Sequence, residues 1–199
     1  MRRRLFARIY AWIEPRMRRQ MGQYREQLVA DLDGRVLEIG CGTGANFGYY
    51  TAPATVTATD HSEHMLWRAR EAAAAADVPI DVQAADVTRL PFEDGQFDAV
   101  VSALVLCSVP HPAAALAEMK RVLRPGGQLR IFEHVRSERG WVAAVQDVVT
   151  PLWRIPTDGC SLNRDTSAVV RESGFEIVSS ERISLEFPHI LLDARRTER

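Results

Sequence analysis

Val36-Leu37-Glu38-Ile39-Gly40-Cys41-Gly42-Thr43-Gly44-Ala45-Asn46 runs a short apolar strand straight into three alternating glycines. Glycines so placed let the backbone turn sharply, and let a ligand lie against main-chain N–H groups with no Cβ in the way. Sixteen residues past Gly44 a second apolar run, Thr55–Thr59, ends in Asp60, whose carboxylate can accept both hydroxyls of a ribose. Working outward, Ile80–Ala84, Phe97–Ser102 and Gln128–Glu133 read as further strands, with helices over Ser62–Ala76 and Pro112–Leu123 between them. That alternation predicts an α/β domain built on a parallel sheet, with ligands at the carboxyl ends of the strands. Ser62 is placed to cap its helix, and Pro125-Gly126-Gly127 to stop the next one with a tight turn. The remainder reads as a helix near Trp141–Trp153, a loop through Pro156–Arg164, a helix near Asp165–Ser173 and strands around Glu176–Ile183 and Ile190–Arg195.

Composition sets the outer limits. A chain of 199 residues that is 46% hydrophobic and 26% charged has the make-up of one folded domain. No apolar run approaches the roughly 20 residues that cross a bilayer. Cys41, Cys107 and Cys160 are odd in number and lack paired-cysteine metal spacing, so neither a disulfide framework nor a metal site is expected, and a cytoplasmic location fits. The formal charge is −1, yet residues 1–20 hold seven arginines against Glu14 alone. Leu5, Phe6, Ile9, Trp12, Ile13 and Met17 recur there at spacings of three and four, the mark of an amphipathic helix interrupted near Pro15. We therefore divide the chain into residues 1–33, a basic helical lid or membrane-surface segment, and 34–199, the main domain. The arginines break any apolar core a secretory signal would need, but suit the surface of an anionic membrane, where the protein would sit peripherally. The lid alternative lays the apolar stripe over the ligand cleft. No nucleic-acid partner is expected, since the rest of the chain has neither a basic face nor a stacking series of aromatics.

The glycine pattern also satisfies G-x-G-x-x-A through Gly40, Gly42 and Ala45, so a dinucleotide-dependent oxidoreductase is the competing reading. Three features separate the two. Glu38 precedes Gly40 by two residues, where an acid would repel a pyrophosphate but suits a ligand with a cationic end. Ala85-Asp86-Val87, after the third strand, offers a carboxylate and an N–H to the edge of an adenine. Arg121-Val122-Leu123-Arg124-Pro125-Gly126-Gly127 precedes the fifth strand. Together these resemble the class I S-adenosylmethionine-dependent methyltransferases, from about residue 34 onward. The resemblance implies a Rossmann-like seven-stranded, mostly parallel sheet with helices on both faces, and S-adenosylmethionine as cofactor. It further implies Gly40, Cys41, Gly42, Gly44 and Asn46 around the methionine part, with Glu38 tying down the loop. Asp60 and His61 would meet the ribose, Met65 would pack on the adenine, and Asp86 and Val87 would read its edge. Ser102 and Ala103 would line the sulfonium, with Cys107 as a small pocket-lining residue.

Closer resemblance lies in Leu104-Val105-Leu106-Cys107-Ser108-Val109, Phe132-Glu133-His134-Val135 and Asp158-Gly159-Cys160-Ser161-Leu162-Asn163-Arg164, which look like the membrane-associated thiol methyltransferases of the methyltransferase-like group. This implies a small lipophilic nucleophile as methyl acceptor, an alkyl thiol first. Phospholipid N-methyltransferases and quinone or small-aromatic methyltransferases share similar overall patterns. A thiol, with an ordinary pKa of about 8.5 or above, gains from a base nearby. His134 is the leading candidate, set against the plainer role of a polar residue closing a strand, and His111 is the weaker alternative. Asp158 is read as a turn residue or a gate.

Overall fold

The computed structural model describes residues 20–155, 157, 159–185 and 187–197. Seven strands form where the sequence concentrates Val, Ile, Leu and Thr: β1 (Arg35–Ile39), β2 (Thr55–Asp60), β3 (Ile80–Ala84), β4 (Phe97–Ala103), β5 (Leu123–His134), β6 (Phe175–Ser184) and β7 (Pro188–Arg196). They make one sheet in the order β3-β2-β1-β4-β5-β7-β6. The first five pair in parallel, and β7 runs antiparallel to both β5 and β6. The helices are α1 (residues 20–29), α2 (Glu63–Ala74), α3 (Pro112–Val122), α4 (Gly140–Trp153) and α5 (Thr166–Glu172). This is the Rossmann-like seven-stranded architecture expected from the sequence.

Parallel strands covered by helices on both faces must be apolar on both, and the two cores divide accordingly. Leu37, Ile39, Val100, Leu129 and Ile131 enter one cluster with Leu116 and Met119 of α3. The alternate residues Val36, Val101 and Phe132 enter the other, with Leu28 and Val29 of α1, Phe47, and Leu66 of α2. Residues 21–32 thus pack into the same core as the sheet. Residues 1–19, which carry the arginine-rich stripe, lie outside the described residues, as does Asp158.

Local details differ from expectation in two places. Ser62 occupies the cap position of α2 without a side-chain cap bond, and its N–H donates to Asp60 Oδ1 at 2.8 Å. Pro125-Gly126-Gly127 lies inside β5, which starts at Leu123 directly after α3, with Gly126 at φ 70°. The left-handed glycine lets the strand bend there without ending it. At α5, Asp165 accepts from Ala168 N at 3.0 Å, a conventional cap.

Helix α4 is amphipathic in the wrong sense for a helix packed on a core. Its buried side carries Ala143, Gln146 and Thr150. Its outward side carries Trp141, Val145, Val148 and Leu152, with Trp141 72%, Val148 76% and Leu152 71% exposed. Gln146 explains the inward side, because its amide holds Val135 O at 3.1 Å, Leu162 O at 2.8 Å and Ser137 N at 2.8 Å. The helix is tied down by hydrogen bonds, and its apolar stripe is left to water.

Candidate functional site

The glycine turn leaves the sheet at the carboxyl end of β1. Gly40, Gly42 and Gly44 all have positive φ, at 60°, 57° and 80°. A Cβ on Gly40 would fall 2.5 Å from Val105 Cγ2, and one on Gly44 2.6 Å from Phe47 Cδ2, whereas one on Gly42 would meet nothing within 4 Å among the described residues. Gly40 and Gly44 are therefore required by packing, and Gly42 opens onto free space. Beneath the turn, buried Glu38 accepts from Asn46 Nδ2 at 2.9 Å and Tyr50 Oη at 2.8 Å. Arg25 of α1 donates to Asn46 Oδ1 at 2.6 Å. Burial lifts the Glu38 carboxyl to about 7, against the pull of Tyr50, Asn46 and Arg25. Cys41 is buried, and burial with Glu38 and Asp60 nearby pushes its thiol far above the ordinary range.

Asp60 ends β2 and clasps the turn: Oδ2 accepts from Gly42 N at 3.0 Å and Oδ1 from Ser62 N. It is 8% exposed, and His61 Nδ1 lies 3.6 Å away. Met65 is half-buried on the first turn of α2, next to this end of the sheet. Asp86 is exposed after β3, its Oδ1 accepting from Thr88 N at 2.8 Å and Thr88 Oγ1 at 2.7 Å; these bonds hold its carboxyl below the usual range. Val87 is turned inward against the core.

After β4 the chain makes its most constrained turn. Ser102 is fully buried and Ala103 half-buried, and Leu104 adopts φ 60°, held by its N–H to Phe132 O at 2.7 Å. A non-glycine residue in that region stores strain that its surroundings must offset. Glu133 offsets it. This fully buried carboxylate accepts from Val105 N at 2.7 Å, Leu106 N at 2.7 Å and Cys107 N at 3.1 Å, with Ser102 Oγ at 3.3 Å. Burial raises its pKa while the three amides oppose the rise. From the other side Arg164 donates to the carbonyls of Leu106 and Val109.

His134, the last residue of β5, meets residues far away in sequence. Cys160 Sγ lies 3.7 Å from His134 Nδ1 and 3.6 Å from Cys107 Sγ. The ring of His189 lies tilted against it at 4.3 Å, Phe187 meets it edge-on at 6.1 Å, and Trp153 packs on Phe187 at 5.3 Å. Cys160 is the more acidic sulfur: its contact with Cys107 and then His134 favour the thiolate. Cys107 is pushed up by Cys160, by burial and by Glu133. Burial and then His134 depress His189 to about 4, so it is neutral at physiological pH. His111 stands at the start of α3, outside this group of contacts.

Sequence reasoning missed Arg25, Tyr50, Glu133 and His189. Glu133 left a sign, an acid inside a strand whose neighbours Ile131 and Phe132 are apolar. Such a charge is buried only if something pairs with it. Arg25 and His189 left none, because the tertiary fold alone brings them to their partners.

The residues present fit S-adenosylmethionine better than a dinucleotide. The space over Gly42 admits a ligand, and the carboxylates of Glu38 and Asp60 favour a cationic group there over a pyrophosphate. The family described as Methyltransferase domain matches residues 37–131. The thiol S-methyltransferase TMT1B of Homo sapiens is 35% identical over 189 residues, covering 89% of this chain and 78% of that protein. A phosphatidylethanolamine N-methyltransferase of Cereibacter sphaeroides is 39% identical over 115 residues, 57% of each chain. Among solved structures, a SAM-dependent methyltransferase of Methanosarcina mazei superimposes with a TM-score of 0.69 at 20% identity, over 84% of this chain and 94% of that one, which speaks to the fold. The chain belongs to the class I S-adenosylmethionine-dependent methyltransferases, and its cofactor is S-adenosylmethionine.

Proposed function

We propose that the methyl acceptor is a small lipophilic nucleophile, an alkyl thiol first, and that His134 assists its deprotonation. The observation that carries this is the nest of Trp153, Phe187 and Leu162 around Cys107, Cys160 and His134, beyond the carboxyl ends of β4 and β5. An apolar wall with one titratable ring favours a lipophilic acceptor over a sugar or nucleotide, whose hydroxyls would be buried unpaired. Similarity to a thiol S-methyltransferase over most of the chain supports the same reading. When bound, S-adenosylmethionine supplies an electrophilic methyl on a sulfonium sulfur. The chain's residues position the partners and exclude water. Gly40, Gly42, Gly44, Glu38 and Asn46 form the methionine seat, Asp60 and His61 the ribose contact, Met65, Asp86 and Val87 the adenine slot, and Ser102 and Ala103 the wall beside the sulfonium. His134 assists removal of the acceptor's proton. Direct transfer needs no covalent enzyme intermediate, which leaves Cys107 and Cys160 free of a nucleophile's role.

A methyl-transfer screen over alkyl thiols, phenols, quinols, amines and phosphatidylethanolamine, run with wild type and His134→Ala, tests this. Turnover of thiols is expected in wild type, with a lower rate and an altered pH profile in His134→Ala. Turnover of amines or phospholipid without thiols would defeat the acceptor, and identical pH profiles in the two proteins would defeat the role of His134.

A membrane surface is the second proposed contact, favoured by the outward stripe of α4 with Arg139 and Arg154 at its ends. Apolar rings and chains flanked by arginines suit the headgroup boundary of anionic lipid. Among the described residues no helix is long and apolar enough to cross a membrane. Sedimentation with anionic liposomes should fall in Trp141→Ser/Leu152→Ser, and equal sedimentation would remove α4 from that contact.

A further inference from the structure

Cys107, His134 and Cys160 come from three separate parts of the chain, after β4, at the end of β5 and after α4, yet their donor atoms all lie within 4.8 Å of one another. The two sulfurs are 3.6 Å apart, and Cys160 Sγ is 3.7 Å from His134 Nδ1. A tetrahedral zinc ion, with Zn–S of about 2.3 Å and Zn–N of about 2.0–2.1 Å, spaces its donors about 3.5–3.8 Å apart along the tetrahedron's edges. The separations from Cys160 Sγ, 3.6 Å to Cys107 Sγ and 3.7 Å to His134 Nδ1, match those edges, and the third pair lies within 4.8 Å, whereas a disulfide needs its sulfurs about 2.05 Å apart. We propose that Cys107 Sγ, Cys160 Sγ and His134 Nδ1 form a zinc site, and that the fourth position takes the acceptor thiol. The second half rests on the thiol-acceptor reading above; the first half does not.

The donors are held in place by contacts independent of the sulfurs. Cys107 N is bonded to Glu133 Oε2, Ser161 N donates to Cys107 O at 2.8 Å, and Arg164 grips the carbonyls on either side of the Cys107 turn. Such backbone fixing presets a metal site, because no ordering of the loops is left to be done on binding. The donor set is soft to borderline, and two thiolates neutralise a dication, so the filled site buries no net charge. Structural zinc sites fill all four positions with protein donors. Sites that act on substrates keep three, two Cys and one His among the known sets. The described residues supply three, and His134 is only half-buried, leaving one side reachable. No pairwise spacing in the sequence announces the site, since Cys107 and Cys160 are 53 residues apart.

The site would answer the chemical difficulty of the reaction. An acceptor R–SH entering the fourth position gives its proton to solvent and binds zinc as thiolate, at a pH where the free thiol is mostly protonated. Its lone pair then forms the S–CH3 bond while the bond from methyl to the cofactor's sulfonium breaks, that electron pair remaining on the cofactor's sulfur. The products are a neutral thioether, a poorer ligand that leaves, and S-adenosylhomocysteine. His134 then serves deprotonation by holding the metal.

The test uses the full chain, purified under reducing conditions and stripped with a chelator. Titration with Co2+ should produce a thiolate-to-cobalt charge-transfer absorption that saturates at one equivalent and disappears when Zn2+ is added. Substituting residues merely behind a zinc ligand weakens binding about 10–100-fold, so losing a ligand in Cys160→Ser or His134→Ala should weaken Zn2+ at least about 100-fold. Stabilisation by S-adenosylhomocysteine confirms that each variant is folded. No charge-transfer absorption in wild type, or Zn2+ affinity unchanged in folded Cys160→Ser, overturns the site. Methyl transfer to an alkyl thiol should vanish in zinc-free protein and return on adding zinc. Equal rates with and without zinc overturn the role of the fourth position. Failure to methylate any thiol in either form overturns the acceptor reading instead, and leaves the cobalt spectrum as it was.

Discussion

Replacing Glu133 by Ala strips the acceptor from the N–H groups of Val105, Leu106 and Cys107, now 2.7, 2.7 and 3.1 Å from its oxygens. A buried donor left unpaired costs about 1–3 kcal/mol. Three of them, with the turn partly relaxing and water entering, should cost roughly 3–5 kcal/mol, partly offset because the burial cost of the carboxylate disappears as well. For a domain of this size each kcal/mol moves Tm by roughly 2–4 °C, so a fall on the order of 6–20 °C is expected. Glu133→Gln keeps the shape and one acceptor oxygen, but sets its NH2 against a backbone donor, and should cost about 1–3 kcal/mol. The ranking wild type, Gln, Ala is read by urea unfolding, and amide exchange at residues 105–107 should accelerate more than at β1. The reasoning fails if Glu133→Ala lies within about 1 kcal/mol of wild type with those three amides still protected.

Gly42 and Gly44 should fail in different ways. In Gly42→Ala the methyl enters open space, so the fold loses only the roughly 1–2 kcal/mol of left-handed strain, while S-adenosylhomocysteine no longer raises Tm. Gly44→Ala drives a methyl to 2.6 Å from Phe47 Cδ2 and should destabilise by about 2–4 kcal/mol with or without ligand; the reverse pattern in thermal unfolding would show that Gly42 faces no cofactor. Asp60→Ala should cost about 2–3 kcal/mol of S-adenosylhomocysteine affinity by calorimetry, as charge-assisted bonds are lost; unchanged affinity would confine Asp60 to clasping the turn. The Glu38 carboxyl titrates at about 7 in the folded chain, against an ordinary value of 4.5. Between those pH values the folded chain holds a proton that the unfolded chain gives up. Stability should therefore fall as pH rises through that window, by at most about 1.4 kcal/mol per pH unit, and level off above it. Denaturation midpoints in Glu38→Gln should lack this slope, and a slope of equal size there would assign it to another group.

The sheet was legible because its signals are local. Each parallel strand is an apolar run bounded by turn residues, and the glycines after β1 carry their own conformational demand. The residues proposed to hold the cofactor share that locality, since Glu38, Gly40, Gly42, Asp60 and Asp86 all stand at or just beyond strand ends. The residues proposed to face the acceptor do not. Cys160 reads as a lone cysteine in a loop until the fold sets it beside Cys107 and His134, and His189 reads as one polar residue in a strand until β7 pairs with β5 and faces it with His134. The cap at Ser62 was legible only in part. Ser62 does hold the cap position, but its side chain makes no cap bond, a rotamer choice that helix propensity alone does not reveal.

The placement of β7 orders events during folding. β6 touches the sheet only through β7, which follows it in sequence and lies between it and β5. No partly assembled sheet can therefore include β6 before β7 has paired with the free edge of β5. That edge carries Phe132 and His134, whose ring neighbour His189 belongs to the arriving strand. The glycine turn after β1 can be complete while β5 is still an open edge, so the parallel half of the molecule can take shape before His134 gains its neighbour.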